Sequence, residues 1–241
     1  MNEMEFNSLK NSEDNHFWFQ HKRRLLKHYI QQYLKDDSLK IFDSGCGTCR
    51  DIYDFKDSIG MDINFNGLIL SDENCNLKVN GNVNEIPVKN EMFDIILSMD
   101  VLQHKGVDVK KAIKEYGRIL KRNGILIMNL PSINFLYSYH DLSVDNDHRY
   151  SRLEIKRMLG EIFNIDKMVF WSGILFLPIA LSRILISHLI TYKKKSDVYP
   201  MSKAMNSIGN FLLKIESVMT YSNIMPVGFS LLTIARKKEK R

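Results

Sequence analysis

Three cysteines in 241 residues are too few, and odd in number, for a disulfide scaffold. Cys46 and Cys49 form the one close pair, C-x-x-C. No second Cys or His pair stands at ligand spacing, so a structural zinc site is excluded and no metal is expected. Five prolines and 12 glycines without a period exclude collagen-like chains, and 44% hydrophobic residues exclude intrinsic disorder. A long hydrophobic run is missing too. The apolar stretch from Met168 to Ile190 is broken by Pro178, Arg183 and His188, short of the roughly 20 residues that cross a bilayer, and reads as interfacial or buried. The opening MNEMEFNSLKNSEDN lacks the basic and apolar regions of a secretory signal, so a cytoplasmic location is expected.

What charge there is divides unevenly. Residues 1–150 hold 19 Lys+Arg against 22 Asp+Glu, a net −3, and residues 151–241 hold 15 against 6, a net +9. The acidic first part argues against a nucleic-acid surface. The basic remainder, with the most apolar stretch and Lys193, Lys194 and Lys195, suits peripheral contact with an anionic membrane at its inner face.

Strand-like and helix-like segments alternate, the pattern of an α/β domain with a parallel sheet. Before them, Phe17 to Leu34 reads as an amphipathic helix, with Leu25, Leu26, Tyr29, Ile30 and Tyr33 inward and Lys22, Arg23 and Lys27 largely outward. Strands are expected at Leu39–Asp43, Ser58–Ile63, Asn76–Val79, Phe93–Met99, Ile125–Leu130, Asn164–Phe170 and Phe229–Ala235. Helices are expected to begin at Asp51, to run from Val109 to Leu120 with Asn123-Gly124 as the stop, and to cover Arg152–Leu159. The long stretch before the last strand has mostly helical periodicity and reads as an inserted subdomain.

Chemistry concentrates where the first strand gives way to a turn, IFDSGCGTCRD, with Asp43 followed by Gly45 and Gly47. Ligands of parallel sheets collect outside the carboxyl ends of the strands, where glycine lets the backbone approach them. Asp62, ending the second strand, can accept both hydroxyls of a ribose. A nicotinamide dinucleotide would call for a third glycine at Cys49, so a nucleoside without phosphates fits better.

In these residues the chain resembles the class I S-adenosylmethionine-dependent methyltransferases, whose first motif runs acidic-x-G-x-G-x-G and whose second strand ends in an acidic residue. The stretch GNVNEIPVKNEMFDIILSMDVLQHKGVDVKKAIKEYGRILKRNGILIMNLP is similar to their small-molecule branch. HFWFQHKRR, HDLSVDNDHRYSRLEIKRML, LFLPIALSR, IESVM and MPVGFSLLTIAR resemble a group of prokaryotic methyltransferases linked to surface-polysaccharide or lipid-linked glycan assembly. The resemblance implies a Rossmann-like α/β fold with a seven-stranded, mostly parallel sheet. Residues 1–37 would form a helical lid, 38–173 the core, 174–225 a helical insertion with an interfacial role, and 226–241 the last strand and basic tail.

The resemblance also implies S-adenosylmethionine as cofactor. Asp43, Gly45 and Gly47 would hold its methionyl part, with Ser44 and Cys46 lining the turn, and Asp62 with Ile63 its ribose. Asn82, where the family usually places Asp, would accept the adenine amino group beside Val83, and Ser98 and Met99 would flank the sulfonium. Trp18, with His16, Phe17 and Phe19, would cover it, and Arg23 or Arg24 would pair with a carboxylate. The expected reaction is methyl transfer to an oxygen, with nitrogen as second choice, of a small or lipid-linked glycan-related acceptor. His104, His140, Asp141 and His148 are the candidate catalytic groups, set against the plainer reading of packing and surface-loop residues. A catalytically idle binding module, suggested by Cys49 and Asn82, and an NAD-dependent oxidoreductase are the competing readings.

Overall fold

The computed structural model describes residues 10–33, 39–71, 75, 77–137, 141, 142, 144–174, 176 and 201–239. Helix α1 (Phe17–Gln31) precedes strands β1 (Ile41–Ser44) and β2 (Ser58–Asp62). Helix α2 (Phe65–Leu70), strand β3 (Leu77–Asn80), strand β4 (Phe93–Met99), helix α3 (Val109–Ile119) and strand β5 (Leu120–Pro131) follow. The chain continues through helix α4 (Arg152–Leu159), strand β6 (Phe163–Trp171), helix α5 (Lys203–Tyr221) and strand β7 (Ser230–Lys237). The strands form one seven-stranded sheet in the order β3-β2-β1-β4-β5-β7-β6. Strands β1 to β5 pair in parallel, and β7 runs antiparallel to both β5 and β6. This is the expected mostly parallel α/β sheet.

Each face of the sheet is sealed by its own apolar layer, because side chains alternate along a strand. Phe42, Ile96, Leu126 and Met128 pack with Ala112, Ile113 and Tyr116 of α3 and Ile155 and Leu159 of α4. Ile41, Ile95, Leu97, Ile127 and Val169 pack with Leu25, Leu26, Tyr29 and Ile30 of α1. Asp108 caps α3, and Ser151 with Glu154 forms a capping box on α4. Helix α5 lies along α1: Asn206 Oδ1 accepts the Phe17 N–H at 3.1 Å, Gly209 faces the Phe17 ring, and Tyr221 stacks on His28 at 3.8 Å.

The chain departs from sequence expectation in three places. No helix begins at Asp51. Three successive turns form there instead, with N–H groups of Cys49, Ile52 and Phe55 donating to Cys46, Cys49 and Ile52 carbonyls, because Cys49 adopts φ +60° and breaks the helical path. Helix α3 ends at Ile119, before the Asn123-Gly124 stop. Its last carbonyls are taken by the N–H groups of Glu91 and Met92, and Asn123, at φ +59°, lies within β5. Helix α1 ends at Gln31, and Leu34 lies outside the described residues. Of the expected insertion, residues 177–200 also lie outside them. Among the described residues no helix is long and apolar enough to cross a membrane.

Candidate active site

The turn after β1 is held open by backbone geometry that only small residues permit. Gly45 has φ +103°, and a Cβ there would lie 2.5 Å from Val101 Cγ2. The N–H groups of Gly45 and Cys46 both donate to the Met61 carbonyl, at 2.6 and 3.0 Å, which ties the turn to the end of β2. Gly47, at φ +54°, donates its N–H to Asp62 Oδ2 at 2.8 Å, and Asn64 N–H donates to Asp62 Oδ1 at 2.8 Å. Each Asp62 oxygen keeps a lone pair beyond these bonds. Burial pushes the Asp62 carboxyl up, against the pull of the two N–H groups and of His104.

Cys49 stands in the left-handed conformation that the family's third glycine would serve. Its thiol lies 3.3 Å from that of Cys46 and bonds to Cys75, and all three cysteines are buried and free. They fill the space beside Gly60, where a Cβ would lie 2.7 Å from Cys49 Sγ and 2.8 Å from Cys46 Sγ. The mutual thiol contacts and burial hold Cys49 and Cys75 protonated, so they act as neutral packing groups.

A buried charge network joins this turn to α1. Lys22 reaches Asp51 at 2.9 Å and Asp100 at 3.7 Å, and Asp43 also acts on it. Its side chain is only 12% exposed, so the outward placement expected of Lys22 is wrong. Burial disfavours the ammonium, but the surrounding carboxylates outweigh burial and raise its pKa. Asp100, at φ +61° just past β4, accepts from Asn129 Nδ2 at 2.6 Å, and Asn129 Oδ1 accepts from Trp171 Nε1 at 2.7 Å. A polar chain thus runs from β6 across β5 to α1.

One ammonium answers three carboxylates, and they are not all satisfied. Asp43 is 1% exposed, and its Oδ1 has no hydrogen-bond partner. Burial, with Asp51 and Asp62 adding to it, raises the Asp43 carboxyl well above the usual range despite Lys22. A buried acceptor without a donor, in a surplus of negative charge beside a glycine turn, fits a cationic ligand. S-adenosylmethionine, with an ammonium and a sulfonium, has that character, and Asp62 offers its remaining lone pairs to ribose hydroxyls.

The other expected residues divide. Ile63 is exposed next to Asp62, and Met99 is buried on the same sheet face as α1. The hydroxyls of Ser44 and Ser98 turn to the opposite face, bonding Tyr116 Oη at 2.7 and 3.0 Å, so neither side chain lines the turn. Val83 is packed in the core with Met61, and Asn82 Oδ1 accepts the Asn84 N–H at 2.9 Å in an Asx turn. Arg23 donates to the Glu13 carbonyl at 2.6 Å, while Thr48 Oγ1 donates to the Glu13 carboxylate at 2.5 Å, which straps the residues before α1 to the glycine turn. Lys22, not Arg23, is the cation that reaches the strand ends.

Trp18 lies 4.7 Å from Trp171 and packs near Leu136, Phe229, Ile133 and Phe176, forming an apolar edge beside β5 and β7. His21, fully buried 5.5 Å from Trp171, has no partner on either ring nitrogen, and burial lowers its pKa to about 3.

His104 lies within electrostatic reach of Asp62 and Asp100, and its backbone N–H donates to the Val101 carbonyl at 3.2 Å. Asp141 is fully buried and accepts from Arg149 Nε and Nη2, each at 3.0 Å, so it serves as a structural anion, not as a base at an open site. His148 turns outward to Glu154 at 2.9 Å. His140 lies outside the described residues.

Comparison with known proteins agrees with this geometry. Residues 42–128 match the model of the family described as "Methyltransferase domain". The chain is 31% identical over 198 residues to an uncharacterized protein of Methanocaldococcus jannaschii, covering 78% of this chain and 82% of that protein. A second uncharacterized protein of that organism is 28% identical over 130 residues, 53% of this chain and 51% of its own length.

Among solved structures, a SAM-dependent methyltransferase of Thermotoga maritima, named as a possible histamine N-methyltransferase, aligns with TM-score 0.60 and 16% identity over 97% of this chain and 95% of its own. The cyclase SpnF aligns with TM-score 0.60 and 16% identity over 92% of this chain and 84% of its own. These likenesses establish the fold, and the domain match sets aside the NAD-dependent oxidoreductase. With turn, carboxylates and sheet in agreement with that match, the chain belongs to the class I S-adenosylmethionine-dependent methyltransferases.

Proposed function

We propose that the protein methylates an oxygen, with nitrogen as second choice, of a small or lipid-linked glycan-related acceptor. When bound, S-adenosylmethionine supplies a methyl carbon activated by positive sulfur. The protein's own residues then have to align the acceptor, exclude water and receive a proton. The observation that carries donor binding is the unpartnered Asp43 oxygen among carboxylates answered by Lys22. Asp62 would hold the ribose, and α1 with Trp18 would cover the cleft. His104, within electrostatic reach of Asp62 and Asp100, is the group we assign to take a proton from a hydroxyl. The narrower resemblance supports a glycan-related acceptor, and the apolar edge of Trp18, Leu136, Phe176 and Phe229 suits one with a lipid portion.

The test is incubation of the protein with methyl-labelled S-adenosylmethionine and separated lipid-linked and free glycan fractions. The expected product carries label and gains one CH₂ at an oxygen by mass spectrometry. Label appearing only in amines, or in neither fraction, removes the acceptor assignment. Titration with S-adenosylhomocysteine independently checks donor binding, and Asp62→Ala should abolish it.

A further inference from the structure

Helix α5 turns its apolar side chains outward. Its buried residues are Gly209, Leu213, Glu216, Ser217 and Thr220, mostly small or polar. Met205, Ile208, Phe211, Ile215 and Val218, recurring every three or four residues, are 49–68% exposed. That spacing gathers them into one continuous stripe.

The exposed charges on the helix have one sign. Lys203 and Lys214 are exposed, whereas Glu216, the helix's only acidic residue, is buried with its oxygens on the backbone N–H groups of Ser172 and Ile174. Along α5 itself no acidic residue is exposed. An apolar face bordered by cations and lacking exposed acids is the composition of a helix that lies in an anionic lipid interface. A symmetric seam between two copies would instead bring these lysines toward one another.

We infer that this face of α5 docks on an anionic lipid bilayer, with Ile208 and Phe211 among the acyl chains and Lys203 and Lys214 at the phosphates. The position of the helix gives the contact a use. Its amino-terminal half lies beside Phe17, next to Trp18 and the apolar edge of the cleft, and exposed Phe135 adjoins that edge through Phe176. Docking presents the cleft to the membrane plane. This inference rests on the lipid-linked acceptor proposed above and adds to it a delivery surface.

The experiment is flotation of the full chain, at physiological salt, with vesicles of phosphatidylcholine alone or containing one-third phosphatidylglycerol. The intact protein should float with the anionic vesicles about tenfold more than with the neutral ones. The I208S/F211S double variant should lose that difference while binding S-adenosylhomocysteine unchanged. Lys203→Gln with Lys214→Gln should weaken flotation and flatten its salt dependence. Failure of the intact protein to float, or equal flotation of I208S/F211S, overturns the inference. So does a dimer in sedimentation equilibrium that I208S/F211S converts to monomer, since the face would then be a homodimer seam. Methylation of a lipid-linked fraction without flotation would sink the docking surface alone. Flotation with methylation confined to free glycans would sink the lipid-linked reading instead.

Discussion

Asp43 is where binding and stability oppose each other. Its folded pKa is raised, so between the ordinary carboxylate range and that raised value the folded protein keeps a proton that the unfolded chain has released. Ligand-free stability therefore falls as pH rises through this window. Asp43→Asn removes the penalty and should stabilise the ligand-free protein by about 1 kcal/mol at neutral pH. It should weaken S-adenosylmethionine binding by roughly tenfold or more, since a cation loses its unpaired carboxylate. Thermal melts and calorimetry across pH check both signs.

Asp141 and His148 separate in the same way. Asp141→Ala removes the carboxylate that neutralises buried Arg149, whose Nη1 keeps the neutral Ser132 carbonyl as acceptor, and should cost about 3–5 kcal/mol. His148→Ala breaks a half-exposed contact with Glu154 and an edge-on contact with the Tyr150 ring and should cost about 1 kcal/mol. Urea unfolding of the two variants reads the difference.

These residues also show how much of the site could be read in advance. That Asp43, Gly45 and Asp62 meet at one turn was legible because strand ends and glycines in a βα turn have few alternative uses. Lys22 was not, because a lysine is ordinarily assigned to water. The signal was nevertheless present: Lys22 precedes Leu25, Leu26 and Tyr29 at helical spacing and so shares their inward face. Asp141 misled in the opposite direction, since a carboxylate in a loop rich in titratable groups reads as chemistry until Arg149 is seen closed upon it.

Among elements, the glycine turn and β2 act as a unit. Gly60 in β2 is required by side chains one strand away, not by its own backbone conformation, and the cysteines that require it include the one replacing a motif glycine. Gly60→Ala should cost about 1–3 kcal/mol by forcing Cys49 and Cys46 aside, and should also weaken donor binding through the displaced turn. Cys49→Ala in the same chain frees space at one sulfur and should recover part of both losses, a coupling that a double-mutant cycle measures. Additive losses would show that the thiols are not what makes Gly60 necessary.

Element boundaries were readable where local chemistry decided them, as for Arg152–Leu159 behind its Ser151 cap and Phe93–Met99 as a continuous apolar run. They were misread where a distant partner decided them, as where Glu91 and Met92 close α3 ahead of Asn123-Gly124.

For the whole molecule, strand order has a consequence for biosynthesis. Among the described residues strand β6 pairs only with β7, and β7 lies between β5 and β6 although it is the last of their strands in sequence. While the ribosome is still making residues before Ser230, β6 has no hydrogen-bonding neighbour in the sheet, and the indole of Trp171 cannot be set against Asn129 by a finished ladder. The carboxylate network that reaches Lys22 through Asp100 and Asn129 is therefore completed after translation of β7. A nascent chain can build the glycine turn early, but the Trp171–Asn129 end of the polar chain waits for β7 to insert.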